Sequence, residues 1–283
     1  MSSRILVIMP ARNEEELVGY ALASLANQSV KPSLALLIDD SSTDKTPQIL
    51  RSFALRYRWA KYLRIERPGG RNVGAAVARA LIIGVKYATE VLSLKWDFLL
   101  KIDADTVYEK NYIAKLLEKF MRNKHLGVAS GVTVNEPVNP EHARGPGLMI
   151  RRIVWEQVNL KPIIGWDSYI VFKAQMLGWE TRSFNDVKMF VLRKTGVSEG
   201  SITRGKYKQG YASSILGYPL ITAFGRSLRL ATIYRSVKIV PYFMAGYFSA
   251  KLSKVDLVEK ELKSWITRKQ YSRVLKALFL RRI

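Results

Sequence analysis

The sequence contains no cysteine and only two histidines, His125 and His142. The absence of cysteine excludes disulfide bonds and thiolate metal sites. With only two histidines, a histidine-rich zinc site is not expected. Any catalytic or metal-binding chemistry of this chain is therefore expected to use other residue types, such as carboxylates.

Acidic residues are scarce relative to basic ones. The 283 residues include 46 Lys and Arg against 23 Asp and Glu, a formal net charge of +23. This excess implies a polyanionic partner: a nucleic acid, an anionic membrane surface or a phosphorylated ligand. The charge is uneven, because residues 201–283 hold 17 basic and three acidic residues. We therefore predict one domain over 1–200 and a basic helical region over 201–283.

Long apolar runs are also missing. The two most apolar stretches, 211–225 and 239–250, are 15 and 12 residues long, whereas a membrane-spanning helix needs about 20. The N-terminal segment has an apolar run of only five residues before acidic residues follow, which does not fit a signal peptide. We expect a chain that is not secreted and whose apolar stretches are each too short to span a membrane alone. A shallow re-entrant hairpin and a tilted span through Leu228–Ala250 remain as alternatives.

The first half contains a regular alternation of strand-like and helix-like patterns. Apolar runs of strand length, separated by segments with helical spacing, lie at 4–9, 34–39, 61–66 and 97–103. This order predicts a parallel sheet with helices on both faces. Such sheets bind ligands beyond the carboxyl ends of their strands. Acids, amides or arginines follow all four runs, so we expect a polar site at that edge.

Asp103 and Asp105 end the fourth apolar run. In an extended segment residues i and i+2 point the same way, so the two carboxylates come together and repel. A hard divalent cation such as Mg²⁺ or Mn²⁺ relieves that repulsion and bridges to phosphates. The alternative is a turn capped by Asp103, with Asp105 in solvent.

Four segments in register carry a family resemblance. PARNEEE after the first run, IDDSSTD after the second, RNVG after the third and DADT after the fourth resemble family 2 glycosyltransferases over about residues 4–200. The resemblance implies a GT-A fold, with a mixed, mainly parallel sheet flanked by helices. It also implies a nucleotide-sugar donor, a divalent metal and a single-displacement, inverting reaction.

The resemblance also assigns site residues. Metal contacts fall on Asp105 and Asp103, and acceptor contacts on Gly131, Thr133 and Trp166, with 131–133 expected to be a loop. Donor contacts fall on Pro10, Ala11, Asn13, Glu14, Asp39, Asp40, Arg71, Asn72, Asp103, Ala104 and Arg193.

Asp167 matches the position of the catalytic base, which takes the proton of the acceptor hydroxyl. The family usually has two acids here, and Trp166 replaces the first of them. Asp167 could instead be an ordinary N-cap of the following helix. Trp166 could stack on a sugar or pack in the core.

The basic region after residue 200 suggests membrane contact. Residues 251–283 place apolar side chains near one face and Lys and Arg opposite, which suits a helix lying in an anionic headgroup layer. The alternative is a soluble helical subdomain with a solvated basic face. We expect a location at the cytoplasmic face of the cell membrane.

The combined prediction is a membrane-associated hexosyltransferase. It would move a hexose from GDP-mannose or a UDP-hexose to a lipid-linked acceptor, such as a polyprenyl phosphate or a dolichol-linked glycan. The Gln-x-x-Arg-Trp motif of processive members is missing, which favours transfer of single sugars. Alternatives are a nucleotidyltransferase, a basic nucleic-acid-binding protein and a catalytically inactive sugar-nucleotide-binding module.

Overall fold

The structure is a computed structural model that describes residues 3–66, 73–134, 139–193, 202–253 and 257–279. Its contacts divide the chain into two compact units. The N-terminal unit comprises residues 1–162 and 166–193, and the C-terminal unit comprises 163–165 and 194–283. The main division falls between Arg193 and Lys194. The sequence predicted the boundary at residue 200.

The N-terminal unit alternates strands and helices along the chain. Its strands are β1 (Ile5–Ala11), β2 (Leu34–Asp40), β3 (Ala60–Ile65), β4 (Phe98–Lys101), β5 (Thr106–Tyr108), β6 (Leu126–Thr133), β7 (Leu148–Arg151) and β8 (Glu180–Val191). Its helices are α1 (Val18–Ala26), α2 (Thr46–Arg56), α3 (Val73–Lys86), α4 (Tyr112–Arg122), α5 (Arg152–Val158) and α6 (Trp166–Met176). A π-helical turn, Tyr87–Val91, follows α3.

The eight strands form one mixed sheet in the order β3-β2-β1-β4-β7-β6-β8-β5. Strands β3, β2, β1 and β4 run parallel to one another, and β6 runs parallel to β8. The short strands β5 and β7 pair antiparallel with their neighbours. The predicted fold class, a mixed and mainly parallel sheet flanked by helices, is confirmed.

The central strands are buried on both faces. Every residue of β2 is buried, and so is every residue of β1 except Pro10. Helices cover both faces of a parallel sheet, which explains why these strands are continuous Val, Ile and Leu runs rather than alternating patterns. Helix α4 shows the matching helical pattern, because Tyr112, Ile113, Leu116 and Phe120 are its buried residues.

Strand register brings the predicted polar residues to one edge of the sheet. Ala11 at the end of β1 lies beside Asp39 in β2, and Asp39 lies beside Arg64 in β3. On the other side of β1, Ile8 pairs with Lys101, the last residue of β4. The segment that follows β4 therefore begins at the same edge.

The C-terminal unit is helical. Its helices are α7 (Ile202–Ile215), α8 (Leu220–Ile233), α9 (Ile239–Leu252) and α10 (Lys260–Phe279). Helices α7 and α9 approach closely because each presents a glycine: a side chain on Gly210 would collide with the Phe243 carbonyl, and one on Gly246 with the Tyr207 carbonyl. Within the described segments, no helix combines the length and the hydropathy needed to cross a membrane.

The N-terminal half of helix α10 buries its apolar face. Val258, just before the helix, and Leu262 and Ile266 within it are buried. The helix lies against the turn at Gly217, whose carbonyl accepts a hydrogen bond of 2.7 Å from the Thr267 hydroxyl. The interpretation that these three side chains enter a membrane is therefore wrong, because the protein itself already covers them.

Candidate functional site

Asp103 and Asp105 follow β4 at the carboxyl edge of the sheet. The Lys101 ammonium forms an ion pair with Asp103 Oδ1, and the Lys101 side chain is almost fully buried. The Asp103 backbone N–H donates to the Tyr108 hydroxyl at 2.9 Å. Ala104, between the two aspartates, is buried. The turn that carries the two carboxylates is therefore held from both sides.

Glu14 and Arg193, both predicted to contact the sugar donor, form an ion pair. The Arg193 guanidinium donates to both carboxylate oxygens of Glu14, at 2.7 and 3.3 Å. Burial raises the pKa of Glu14 to about 7, with further upward contributions from Asp105 and Asp103 and opposition from Arg193. Burial and the neighbouring Asp103 likewise raise the pKa of Asp105. The three carboxylates are thus close enough to repel one another.

The loops after β1 and β2 hold each other in place. The Asn13 N–H donates to Ser42 Oγ at 3.0 Å, and Asn13 Oδ1 accepts from the Thr43 N–H at 2.9 Å. The Glu14 N–H donates to Thr46 Oγ1 at 2.7 Å. Asn13 has a left-handed backbone, with φ 53°, a conformation that asparagine tolerates better than most residues. This cross-linking fixes the backbone from which Glu14 projects.

Asp39 is buried and fully engaged by neighbouring groups. Its Oδ2 accepts from Arg64 at 2.6 Å and from the Tyr62 hydroxyl at 3.2 Å, and its Oδ1 accepts from the Ser42 N–H at 3.0 Å. Asp40 is also buried. Asp39 and Asp40, both predicted to contact the nucleotide-sugar donor, therefore lie at the expected edge, and Asp39 is held there by Arg64.

A single lysine connects the aspartate pair to the predicted base. Lys101 Nζ lies 5.0 Å from the centre of the Trp166 ring, and Trp166 is buried. Asp167 follows in the first turn of α6, half-buried, with Gly145 beside it. A Cβ on Gly145 would lie 3.1 Å from Asp167 Oδ2. Trp166 is thus buried against a cation, and its predicted contact with an acceptor sugar stays a prediction.

The predicted acceptor wall at 131–133 differs from expectation. These residues end strand β6 rather than forming a loop, and all are buried. The Gly131 N–H donates to the Tyr112 hydroxyl at 2.8 Å, and that hydroxyl donates to the Gly147 carbonyl at 2.7 Å. Thr133 Oγ1 is buried with no hydrogen-bond partner among the described residues. The segment supports the Gly147 turn from inside, and an acceptor contact by Gly131 or Thr133 stays a prediction.

Three basic residues of this edge were not predicted as site residues. Arg64 binds Asp39, Lys101 binds Asp103, and Arg12 Nη1 is buried without a hydrogen-bond partner in the described part of the chain. Lys101 carried a usable signal, because it interrupts an apolar strand two residues before Asp103. The predicted residues Arg71 and Asn72 lie outside the described residues.

The oxygen ligands available at this edge suit a hard divalent cation. Asp103 and Asp105 offer carboxylate oxygens, which Mg²⁺ and Mn²⁺ prefer. Among the residues described, no group of three or more His, Asp or Glu side chains is arranged to hold a metal ion. Two carboxylates suit Mg²⁺ in particular when a ligand's phosphates and water supply the remaining oxygens.

Comparison with known families settles the relationship of this chain. A family model described as glycosyl transferase family 2 matches residues 6–194, more than half of the chain. The chain belongs to glycosyl transferase family 2. The match confirms the resemblance carried by the strand-end motifs, and it favours a glycosyltransferase over the nucleotidyltransferase and nucleic-acid-binding alternatives.

Curated relatives within family 2 are longer proteins. The chain is 25% identical over 247 residues to the 4,4'-diaponeurosporenoate glycosyltransferase of Staphylococcus haemolyticus, covering 86% of this chain and 58% of the relative. It is 31% identical over 127 residues to the minor teichoic acid biosynthesis protein GgaA of Bacillus subtilis, covering 44% and 26%. The chain thus spans less than two thirds of the length of these relatives.

Solved structures share the GT-A architecture of this family 2 chain. The mannosyltransferase PcManGT from Pyrobaculum calidifontis superposes with a TM-score of 0.58 at 17% identity, covering 98% of this chain and 87% of that one. TarS of S. aureus superposes with a TM-score of 0.54 at 15% identity, covering 93% and 50%. At such identities the likeness concerns the fold.

In this family 2 chain, the Glu14 carboxyl is expected to make stability depend on pH. Its pKa is about 7 in the metal-free folded protein against an ordinary 4.5, so the folded state binds the proton more tightly than the unfolded state. The stabilisation is complete below pH 4.5 and is lost as the pH rises to about 7, an effect of about 1–3 kcal/mol. Chelator-treated Glu14→Gln should lose this pH dependence in urea unfolding. The exposed control Glu16→Gln should retain it.

The Tyr112 hydroxyl is expected to contribute to stability. Tyr112→Phe leaves the buried Gly131 N–H and the Gly147 carbonyl without their shared partner, which costs about 1–3 kcal/mol. Urea unfolding measures this loss. Tyr20→Phe, at a side chain that is 63% exposed, should change stability little. Equal effects of the two substitutions would contradict the bridging role.

Proposed function

We propose that this protein transfers a hexose from a nucleoside diphosphate sugar to a lipid-linked acceptor, with inversion at the sugar carbon. The observation that carries the proposal is the Asp103–Asp105 pair at the carboxyl edge of the sheet. It lies beside Glu14 and Arg193, and it is connected through Lys101 and Trp166 to the helix that presents Asp167. The candidate cation site, the Arg193 guanidinium and the candidate general base Asp167 thus belong to one region of the N-terminal unit.

The donor is proposed to lie along the ends of β1, β2 and β4. PcManGT was solved in complex with GDP-Man and Mn²⁺, and a TarS structure contains UDP. The same fold therefore accommodates either nucleotide. We favour GDP-mannose over a UDP-hexose, by analogy with pathways that build lipid-linked glycans. Arg193 and the buried Arg12 guanidinium are cations suited to a diphosphate.

A divalent metal, Mn²⁺ or Mg²⁺, is proposed to be held by Asp105 with help from Asp103. Bound there, the ion would neutralise the negative charge that develops on the departing diphosphate. Lys101 holds Asp103 in its present orientation through their ion pair. Arg193 does the same for Glu14 and adds positive charge at the same edge.

Asp167 is proposed as the general base. When the acceptor is a lipid-linked glycan, its hydroxyl oxygen forms the new bond to the sugar carbon while the bond from that carbon to the diphosphate oxygen breaks. The hydroxyl proton passes to the Asp167 carboxylate, and the electron pair of the broken bond leaves with the diphosphate. A polyprenyl phosphate would form the bond to the sugar carbon through its ionised phosphate oxygen and would need no base. Gly145 leaves the space beside Asp167 open, because any side chain there would press on the carboxylate.

The acceptor is proposed to reach the protein from a membrane. The net charge of +23 and the basic C-terminal unit suit an anionic bilayer surface. A lipid-linked acceptor carries phosphate, which is a further reason for the arginine and lysine content. Nucleic acid is not proposed as a partner, and the proposed location is the cytoplasmic face of the cell membrane.

A donor and acceptor screen tests the proposal. Purified protein with Mn²⁺ would be incubated with GDP-mannose, UDP-glucose or UDP-N-acetylglucosamine. The acceptors would be a polyprenyl phosphate and, separately, a polyprenyl-diphosphate-linked sugar that offers a hydroxyl, and the lipid product would be analysed by mass spectrometry. One donor should give a product whose mass increases by a single sugar, dependent on Mn²⁺ or Mg²⁺. In a parallel incubation with a nucleoside triphosphate, transfer of a nucleotidyl group to an acceptor with release of diphosphate would instead establish the nucleotidyltransferase alternative.

A further inference from the structure

We infer that α8 and α9 form the surface by which this protein binds an anionic bilayer, with their exposed apolar side chains in the lipid and their arginines and lysines at the phosphates. The inference rests on the membrane association proposed above and names the surface responsible. Within the predicted membrane-associated region 201–283, it places the contact on residues 220–252 rather than on the amphipathic segment 251–283.

Helix α8 presents an apolar side to solvent. Ile221, Phe224 and Leu228 are 64%, 46% and 46% exposed, and the spacing i, i+3, i+7 puts them on one face. The opposite face carries Ala223 and Ser227, which are buried. A helix on the surface of a soluble protein normally turns its apolar side toward the core and its polar side toward solvent. The exposed side of α8 is therefore an unpartnered apolar surface.

An apolar groove continues this surface onto the neighbouring helices. It has a volume of about 670 Å³ and is lined by Leu220, Ile221 and Phe224 of α8, Met244 and Phe248 of α9, and Tyr271 of α10. Leu252 at the end of α9 is 81% exposed. Contiguous apolar patches of this kind mark sites of protein, ligand or membrane contact.

The charge around the groove selects among possible occupants. Residues 202–253 contain eight Lys and Arg and no Asp or Glu. Arg229 on α8, Arg235 and Lys238 between the helices and Lys251 on α9 are exposed. Val237, beside Lys238, is 84% exposed. An anionic bilayer offers both requirements at once, phosphates for the cations and an apolar layer for the side chains between them.

Other occupants meet only one of these requirements. A second copy of the chain would bring like charges together, because residues 202–253 have no acidic side chain to pair with the partner's cations. A nucleic acid offers phosphates but no apolar layer for Ile221 and Leu228. The N-terminal half of α10 is not an alternative contact surface, because Leu262 and Ile266 are already buried.

Vesicle co-sedimentation of the full chain tests the inference. The probes are phosphatidylcholine vesicles and mixed phosphatidylcholine–phosphatidylglycerol vesicles. The wild type should bind the mixed vesicles and bind the neutral ones much more weakly. The double variant Ile221→Ser and Leu228→Ser should need at least about tenfold more lipid for half-maximal binding. Phe248→Ser on α9 provides a second, independent variant.

The control is Leu55→Ser in the N-terminal unit. Leu55 is 89% exposed, so this variant removes an equally exposed leucine and should bind like the wild type. Arg229→Gln with Lys238→Gln should weaken binding to mixed vesicles and leave binding to neutral vesicles unchanged. Melting temperatures close to the wild-type value establish that the variants are folded.

The outcomes separate this inference from the broader proposal. A wild type that ignores both kinds of vesicle overturns the proposed membrane association together with the inference. If the wild type binds mixed vesicles and all variants of α8 and α9 bind equally well, membrane association stands and the surface assigned here is wrong. A wild-type dimer in lipid-free sedimentation that the serine variants convert to monomer would assign the surface to a second copy and overturn the inference.

Discussion

Asp105→Ala is expected to weaken Mn²⁺-dependent binding of the nucleotide-sugar donor by about 100-fold or more. Asp105 is half-buried, and its carboxyl has a raised pKa because of burial and of Asp103. A bound cation removes the repulsion between these groups, so metal and carboxylate stabilise each other. Isothermal titration with GDP-mannose and UDP-hexoses, with and without Mn²⁺, measures the effect.

The control for this prediction is Asp186→Asn. Asp186 is a surface carboxylate of the same unit that pairs with Lys119 at 2.7 Å, and its loss should leave donor affinity within about twofold, as for most surface substitutions. Donor binding to Asp105→Ala that matches the wild type at every Mn²⁺ concentration would remove Asp105 from the metal site.

Asp167→Asn is expected to reduce kcat for transfer by about 10²–10⁴-fold while donor affinity changes by less than about twofold. The amide keeps the shape of the carboxylate and cannot accept the proton of the acceptor hydroxyl. Single-turnover transfer under saturating donor measures the chemical step, and titration of the donor alone measures binding.

This substitution also separates the base from the alternative role as a helix cap. Asparagine caps a helix about as well as aspartate, so a cap alone would leave both stability and transfer unchanged in Asp167→Asn. Ser168→Ala, at the next position of α6, is the matched control and should retain transfer. Full activity of Asp167→Asn would assign the proton to another group.

Local pattern predicted the strands and helices of the first half closely. The apolar runs at 34–39 and 61–66 correspond to β2 (Leu34–Asp40) and β3 (Ala60–Ile65), because a strand buried on both faces leaves a continuous apolar run. Strands β5 to β8 were not predicted. Two of them, β5 and β7, are three and four residues long, and pairing over such lengths depends on distant neighbours rather than on local sequence.

The candidate site shows the same limit at the level of single contacts. The strand-end motifs placed Asp39, Asp103 and Glu14 at one edge, because parallel strands bring their carboxyl ends together. They could not reveal that Arg64 engages Asp39 or that Lys101 engages Asp103, since these contacts follow from register and from side-chain reach. Gly131 was expected in a loop, and the Tyr112 hydroxyl holds it within a strand.

The basic region was interpreted from its charge, its apolar stretches and its helical pattern. Spacing identified apolar positions such as Leu262 and Ile266, and a pattern does not distinguish an apolar face that meets lipid from one that meets protein. The structure buries these residues and exposes Ile221 and Leu228 instead. Tertiary packing therefore decides which apolar face of a basic helical region is available.

The most direct test of the account is the coupling between metal and nucleotide in the wild-type protein. The Mn²⁺ affinity would be measured by titration in the absence and in the presence of saturating GDP and, separately, UDP. If the aspartate pair and a diphosphate share one cation, the matching nucleotide should increase the affinity of the protein for Mn²⁺ by at least about tenfold, after correction for Mn²⁺ bound by free nucleotide. Mn²⁺ should increase the affinity for that nucleotide by the same factor. Mn²⁺ and nucleotide affinities that are independent of each other for both nucleotides would contradict the account.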